Sequence, residues 1–350
     1  MATPAPTVVE SPPPSGPPLR KDAPTGAAAE NLLHAPGAEA LGRLADNPAA
    51  IPWPGWRAVI HRTAREMLTD RVALVAAGCA FYATLALFPV LTMLISIYGL
   101  LFDPVTVEPQ LETLRALLPP SAYLLISERI HTLVSQPPTS LHFSLVVSIL
   151  VALWSCATGT KSMLGALNVA YEERETRSVL RYQVTAFVIT IGAIVGAAVG
   201  LAILVGLPAL LAFLGVSWHN NVVIRIASVG LLLLFVMAGL SVLYRYGPAR
   251  EAPRWNWVTP GSVLATLLWV VASALFSLYV GRIASYDLTY GPLGAVVGVM
   301  MWFYVTVYVV LLGAELNAEL ELQTARDSTE GPPQPLGARG AYVADHVAAR

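Results

Sequence analysis

Charged side chains are scarce in this chain of 350 residues. Asp, Glu, Lys and Arg together make up 12% of it, whereas about 25% is usual for a soluble domain. Hydrophobic residues make up 55%, and the mean hydropathy is +0.62. The shortage of charge excludes an ordinary water-soluble domain and predicts a protein that lies mainly in lipid.

Cysteine is nearly absent as well, since only Cys79 and Cys156 occur and both fall inside apolar stretches. This excludes a disulfide scaffold and favours two small buried side chains over a disulfide or redox pair. The six histidines are scattered without the spacing of metal ligands, so we predict no metal site and no cofactor. The stretch CATGTKS lacks the glycine that a phosphate-binding loop needs directly before Lys161. These absences disfavour an enzyme.

Ionisable side chains are missing from the middle of every long apolar stretch, which is where pumps and proton relays usually place them. The middle of these stretches instead carries aromatic and small polar residues. Most of them are expected to pack or to form hydrogen bonds between helices, and a minority could line a path for an amphipathic molecule. The candidates for such a path are Tyr82, Trp154, Trp269, Trp302 and Tyr304.

Long apolar stretches are what the sequence does contain. A helix crosses a bilayer core of about 30 Å with about twenty apolar residues, and six stretches reach that length. We therefore predict an all-α, polytopic integral membrane protein that is a bundle of six transmembrane helices. The predicted spans are approximately 72–102, 141–160, 182–214, 222–244, 258–280 and 293–312.

Arginine and lysine are distributed unevenly between the predicted loops. They are frequent before the first span, between the second and third spans and between the fourth and fifth, and they are sparse in the alternate loops. By the positive-inside rule, this pattern predicts that both termini are cytoplasmic.

The predicted transmembrane domain, 53–322, is flanked by segments rich in Pro, Ala and Gly. We predict a disordered cytoplasmic arm at 1–52 and a disordered cytoplasmic tail at 323–350. The first external loop, 103–140, contains two short amphipathic patterns. They predict short helices that lie on the membrane surface or cap the bundle.

Glycines recur every four residues in two of the spans and therefore share one face of each helix. Helix–helix contact is the favoured interpretation, and a substrate-lining role is the alternative. Two prolines inside spans are expected to kink their helices. The glycines are Gly192, Gly196, Gly200, Gly294 and Gly298, and the prolines are Pro89 and Pro208.

The sixth predicted span ends in acidic residues. Glu319 and Glu321 are expected to be ordinary helix-end charges at the membrane edge. Glu315 lies deeper, and because a carboxylate is unfavourable near a helix C-terminus, we expect a cation to compensate it. Lys161 ends the second span at the same depth. We predict that Glu315 pairs with Lys161 in a polar cluster at the inner mouth, and a solvated Glu315 is the alternative. The cluster comprises Lys161, Asn168, Glu315 and Asn317.

Four stretches in a fixed order resemble the YihY/BrkB family of bacterial inner-membrane proteins. The resemblance covers about 56–322 and implies six transmembrane helices in the bacterial cytoplasmic (inner) membrane. Members were long labelled ribonuclease BN and have been linked to virulence, so the resemblance implies no settled activity. The stretches are AAGCAFYATLALFPVLTML, WSCATGTKSMLGALNVAYE, RWNWVTPGSVLATLLWVVASALFSLYV and YGPLGAVVGVMMWFYVTVYVVLLGAELNAEL.

Two functions fit these observations. The first is a facilitator or scrambling-type transporter of lipid or another amphipathic molecule, because the spans have a charge-free, aromatic middle and show no energy-coupling motif. The second is a structural protein that anchors partners. A ribonuclease is disfavoured because it needs a catalytic centre and a basic surface for phosphates, and the sequence shows neither. We expect membrane lipids as partners and no nucleic acid, and a homo-oligomer is left open.

Overall fold

The structure is a computed structural model that describes residues 37–101, 138–201, 203, 222–282 and 292–348. In these residues, the regular elements are helices, and the only β-type pairing is an isolated bridge between Pro253 and Thr329. Two short 3-10 helices, Glu39–Leu41 and Pro48–Ala50, precede the α-helices. The α-helices are α1 (Trp53–Thr69), α2 (Val72–Leu101), α3 (Pro138–Ala170), α4 (Val179–Leu201), α5 (Val222–Tyr246), α6 (Trp255–Arg282), α7 (Pro292–Gln323) and α8 (Tyr342–Asp345).

Five of these helices are long and apolar enough to cross a membrane, which confirms the prediction of an all-α polytopic membrane protein. A sixth long helix, α3, packs along α2, and the total of six spans stays a prediction. The predicted helices of the first external loop and Pro208 lie outside the described residues. The five candidate spans are Val72–Val90, Val179–Gly200, Ile226–Tyr246, Trp255–Tyr279 and Val296–Gln323.

The outer surface of the bundle is apolar. In the candidate membrane spans of α4 and α5, only 11% of the apolar stretch is buried inside the bundle. Most Val, Ile and Leu side chains of these two helices therefore face outward. On α4, for example, Val188 is 63% exposed and Val195 is 56% exposed. An apolar surface of this size is unfavourable in water and is typical of helices that face lipid.

Helix α7 is the centre of the fold, because it contacts α1, α2, α3, α6 and α8. Its second half is buried from Val309 onward, and Leu311, Ala314 and Leu320 are almost completely removed from solvent. The apolar residues of α7 thus form the common core against which the surrounding helices pack.

The described parts of both terminal segments are packed onto the bundle, which corrects the prediction that they are disordered. In 37–52, Ala45 and Ile51 are buried. In the tail, Val343 and Val347 are fully buried, and the Ala348 amide donates to the Leu322 carbonyl at 2.9 Å. Their Pro- and Gly-rich composition shows that these segments lack a core of their own, but the end of α7 supplies one.

Candidate functional site

Four arginine-containing segments meet around the C-terminal end of α7, and we call this region the charged end. It comprises α1, the loops 171–178 and 247–254 and the tail 324–348. The Asn168 side chain accepts a hydrogen bond from the Ala249 amide at 2.8 Å, and the Arg254 amide donates to the Ser328 carbonyl at 2.8 Å. The segments that the charge pattern assigns to one side of the membrane therefore lie together.

Glu321 forms a buried ion pair with Arg250. Two guanidinium nitrogens donate to its two carboxylate oxygens at 2.8 and 3.1 Å, and neither side chain is exposed. The Ser328 hydroxyl also donates to Glu321 at 2.7 Å, and the guanidinium lies 4.2 Å from the ring centre of Tyr171. Burial raises the pKa of Tyr171. Burial would lower the pKa of Arg250, but the attraction of Glu321 outweighs it and raises that pKa.

Glu319 is also buried, and it pairs with Arg62 of α1. The Arg62 guanidinium donates to the Glu319 carboxylate, to the Glu319 carbonyl at 3.1 Å and to the Gln323 side chain at 2.8 Å. The expectation that Glu319 and Glu321 are ordinary helix-end charges is wrong, because both are buried and each pairs with an arginine. The arginines of the flanking segments were the signal in the sequence that could have indicated these pairs.

The two predicted amides each fasten a different neighbouring segment. Asn317 is fully buried, and its side chain accepts from the Gly261 amide at 2.7 Å and donates to the Val258 carbonyl at 3.1 Å. It therefore satisfies two backbone groups of α6. Asn168 donates to Glu175 at 3.0 Å and accepts from Ala249. Both amides have structural partners at the charged end.

Lys161 and Glu315 do not pair in the described part of the chain. The Lys161 ammonium lies over the ring of Trp154, 5.2 Å from its centre and two turns earlier on the same helix. Glu315 instead points to α1, where its carboxyl group lies against that of Asp70. The prediction that Lys161 pairs with Glu315 is therefore wrong, because equal depth in the membrane does not place two side chains on facing surfaces.

Four carboxylates from three separate parts of the chain converge where α1, α3 and α7 meet, and we call this group the acid cluster. It consists of Glu66, Asp70, Glu172 and Glu315. One carboxylate oxygen from each of the first three lies within 4.8 Å of the others. Glu315 is 2% exposed, contacts Asp70, and has one oxygen, Oε1, without a hydrogen-bond partner among the described residues.

The backbone turns sharply on both sides of the acid cluster. Arg71, directly after Asp70, has φ 51°, and Glu172 has φ 56°, so both adopt the left-handed conformation that is unusual for residues other than glycine. Arg71 lies in the two-residue connection between α1 and α2, and Glu172 lies just after the end of α3. Histidine spacing could not indicate this cluster, because its carboxylates come from separate parts of the chain.

The predicted glycine stripes make only ordinary contacts. A Cβ atom at Gly196 would lie 3.8 Å from Phe235 of α5, and one at Gly200 would lie 3.8 Å from Leu232. At Gly192 and Gly298, it would meet nothing within 4 Å, whereas Gly294 is buried. The regular spacing defined a face of the helix without showing whether a partner helix lies against it.

Among the glycines of the described residues, the closest approach to a facing helix occurs between α6 and α7 instead. A Cβ atom at Gly261 would lie 2.0 Å from the Gly313 carbonyl oxygen, and one at Gly313 would lie 2.6 Å from the Gly261 carbonyl oxygen. Both positions therefore require glycine. Gly261 directly follows Pro260, which lies inside α6 and has no amide hydrogen to donate. Pro89 likewise lies inside α2.

The five predicted path-lining aromatic residues do not line one common path. Trp269 and Trp302 pack against each other across α6 and α7, with ring centres 6.0 Å apart. Tyr304 packs against the core, whereas Tyr82 and Trp154 face outward and are 41% and 60% exposed. The first pair and Tyr304 serve packing, and the other two lie on the apolar outer surface.

An apolar groove of about 740 Å³ runs from the charged end along α6. Its polar end is formed by Asn47, Asn256 and Thr259, and its apolar walls include Val263 and Leu267. Asn256 and Leu267 are eleven residues apart on α6, so the groove extends about 16 Å along the helix axis. The sequence does not predict this groove, because the composition of 37–52, which forms part of its wall, indicates disorder.

Exposed aromatic residues surround the charged end. Trp53 at the start of α1 is 72% exposed, and Tyr246 and Trp255 form an edge-to-face pair with ring centres 6.4 Å apart. Trp and Tyr are enriched where a membrane meets water. The polar end of the groove therefore lies at the depth where the interface between lipid and water is expected.

Comparison with known proteins identifies similar membrane proteins. The family model described as Virulence factor BrkB matches residues 63–336. The chain is 31% identical over 248 residues to the Putative ribonuclease-like protein YfkH of Bacillus subtilis (strain 168), and this covers 70% of the chain and 88% of YfkH. It is 36% identical over 107 residues to a UPF0761 membrane protein of Tolumonas auensis, which covers 29% of the chain and 35% of that protein. It is 29% identical over 276 residues to the UPF0761 membrane protein AZOSEA40600 of Aromatoleum aromaticum, which covers 77% of the chain and 65% of that protein. No solved structure matches the chain.

Proposed function

The chain belongs to the family described as virulence factor BrkB, and from this membership and the groove along α6 we propose that it binds membrane lipids and lets them cross between the two leaflets. The groove along α6 is the observation that supports this proposal. Its apolar walls match an acyl chain, and its polar end, near the exposed aromatic residues, matches a lipid head group. Membrane lipids are accordingly the proposed partners.

Passive movement of lipid fits the spans better than active pumping. The described spans carry charges only near their ends, in particular Glu315, Glu319 and Glu321 of α7. An ion-coupled pump usually places ionisable groups near the middle of the membrane. Movement down a concentration gradient needs no such group, and the proposal therefore includes no energy source.

The proposed location is the bacterial cytoplasmic membrane, with the charged end in the cytoplasm. The positive-inside rule supports this orientation, because the arginine-rich segments gather at one end of the bundle. An anchoring role for the same end is the alternative that the sequence left open.

The proposal does not include ribonuclease activity, although YfkH is named ribonuclease-like. Binding of RNA requires basic groups that are available to phosphates. Three arginines in or next to the charged end are instead engaged by carboxylates of the same chain, since Arg62 pairs with Glu319, Arg250 with Glu321 and Arg245 with Glu330. This engagement supports a role in which arginine holds the fold together.

Lipid movement can be measured with the purified chain in vesicles that contain a fluorescent phospholipid and a quencher outside. We expect faster loss of inner-leaflet fluorescence than in empty vesicles. A Val263→Trp variant should slow this movement, because the larger side chain fills the groove next to Leu267. Leu275→Trp is the matched control, since Leu275 is an exposed leucine of α6 that does not line the groove.

Two results would contradict the proposal. One is a rate equal to that of empty vesicles with neutral, anionic and zwitterionic head groups. The other is a Val263→Trp variant that moves lipid as fast as Leu275→Trp, because the groove would then have no part in the movement.

A further inference from the structure

We propose that the acid cluster of Glu66, Asp70, Glu172 and Glu315 binds one divalent cation that prefers oxygen ligands, Mg²⁺ or Ca²⁺. This site is separate from the lipid groove and does not depend on the lipid-transfer proposal. The cation would join the end of α1, the end of α3 and the buried half of α7 at one point.

The spacing of the carboxylates fits one small cation. One oxygen from each of Glu66, Asp70 and Glu172 lies within 4.8 Å of the other two. Ligands on opposite sides of a bound cation are about 4.2 Å apart for Mg²⁺ and about 4.6–5.2 Å apart for Ca²⁺. The three oxygens can therefore surround a single ion without a large movement of the backbone.

Glu315 provides the second, independent observation. Its side chain is 2% exposed, and its Oε1 has no hydrogen-bond partner among the described residues. A buried polar atom without a partner is rare in native proteins and often marks a missing ion or water. The Glu315 carboxylate contacts that of Asp70, so this unsatisfied oxygen belongs to a side chain that is directed into the cluster.

The local electrostatics also demand a positive charge. Asp70 caps the C-terminal end of α1, Glu172 follows the end of α3, and Glu315 lies in the last third of α7. The C-terminal ends of helices carry partial negative charge, so the helix dipoles add to the repulsion between the four carboxylates. The neighbouring acid Glu319 has its own partner in Arg62. A bound divalent cation would reduce the repulsion between these carboxylates.

The ligand chemistry selects the class of metal. The cluster offers carboxylate oxygens from Asp and Glu, which are hard ligands suited to Mg²⁺ and Ca²⁺, whereas Zn²⁺ and Cu²⁺ favour sites with nitrogen or sulfur. A bound cation would hold α1 and α3 against α7, and its removal should loosen this junction.

The test uses the purified full-length chain in detergent after treatment with a chelator. Isothermal titration with Ca²⁺ and with Mg²⁺, and electron paramagnetic resonance with Mn²⁺ as a probe, should show one saturable ion per chain. Binding should also raise the Tm, because the ion binds the folded state. Glu315→Gln and Asp70→Asn should each weaken binding by about tenfold or more, since loss of even an outer-shell partner weakens metal binding by about 10–100-fold. Glu39→Gln, which changes an exposed acid outside the cluster, should bind as the unmodified chain does.

The wild-type titration decides the proposal even if a variant fails to fold. Absence of saturable binding to the unmodified chain by all three ions would overturn the site, and would indicate that a shared proton holds Glu315 and Asp70 together. Undiminished binding by Glu315→Gln and Asp70→Asn would also overturn it. A further expected result is that Glu315→Gln in chelator is at least as stable as the unmodified chain, because it removes one of four crowded carboxylates.

Discussion

At the scale of single residues, Arg250 and Glu321 show how buried charged side chains are stabilised in this protein. Both side chains are removed from solvent, and each carboxylate oxygen receives a donor from the guanidinium. Removal of one member of such a pair destabilises a protein by about 3–5 kcal/mol, because the other charge stays buried without compensation. The pair therefore fixes the position of the loop 247–254 on α7, and Arg62 with Glu319 does the same for α1.

Glu173 gives a prediction about pH. Burial raises the pKa of its carboxyl group from 4.5 to about 7, although the Tyr342 amide donates to it at 2.6 Å and Arg250 attracts it. Glu321 and Asp345 also face it and raise the pKa further. The folded state thus binds a proton between pH 4.5 and 7 that the unfolded state has lost. Stability should therefore fall as the pH rises through this window, by at most about 3 kcal/mol from this group.

The measurement is the Tm of the purified protein in detergent from pH 5 to 8. Glu173→Gln should flatten this part of the profile, because its neutral carbonyl can still accept from the Tyr342 amide. The exposed control Glu39→Gln should keep the wild-type slope. A Glu173→Gln profile parallel to that of the wild type would assign the pH dependence to another group.

At the scale of helices, the crossing of α6 and α7 is the tightest contact in the described residues for which a glycine is required. Asn317 binds the Gly261 amide and the Val258 carbonyl at the same crossing. The absent side chains of Gly261 and Gly313 allow the two backbones to come this close. Helix α6 also forms the main wall of the groove, so the crossing positions the proposed lipid site.

This crossing predicts unequal effects of alanine substitutions. Gly261→Ala and Gly313→Ala should each destabilise the protein by about 1–3 kcal/mol, since the added methyl group overlaps the backbone of the facing helix. Gly298→Ala in the same helix α7 meets open space and should be neutral or slightly stabilising, because alanine favours a helix. Unfolding in a detergent series would measure these changes. Equal stability of Gly261→Ala and Gly298→Ala would show that the helices can separate without loss.

The sequence predicted the helices better than it predicted their contacts. Apolar length alone identifies a span, because the bilayer sets the number of residues that a helix needs. A contact depends in addition on the facing helix, so the four-residue spacing did not reveal that Gly196 and Gly200 lie near α5 whereas a Cβ atom at Gly192 would meet nothing within 4 Å. For the same reason, Lys161 was matched to Glu315 by depth, although Trp154 on its own helix attracts it. The acid cluster could not be predicted, since its ligands come from segments more than a hundred residues apart.

At the scale of the whole molecule, the terminal segments complete the charged end. Thr324 at the start of the tail donates to the Ala45 carbonyl at 2.7 Å, and Ala325 donates to the Arg43 carbonyl at 2.9 Å. The N-terminal segment and the tail thus hold each other against the end of α7. Composition predicted disorder here because it indicates only whether a segment can fold by itself. These two segments instead pack on a core that the helices supply.

The shared position of these segments predicts the topology of the protein in the membrane. Single cysteines that replace Glu39, Arg174, Glu251 or Pro333, all exposed, should lie on one side of the membrane, because their segments meet at the charged end. After replacement of Cys79 and Cys156 by alanine, a membrane-impermeant maleimide should label all four sites in inverted vesicles and none in intact cells, as the positive-inside rule requires. A cysteine at Glu112, in the loop that the sequence assigns to the opposite side, should show the reverse and serves as the control. Labelling of one of the four sites from the side opposite to the other three would contradict the shared charged end. Labelling of all four sites in intact cells would be consistent with a shared charged end, but it would show that this end faces the outside of the cell.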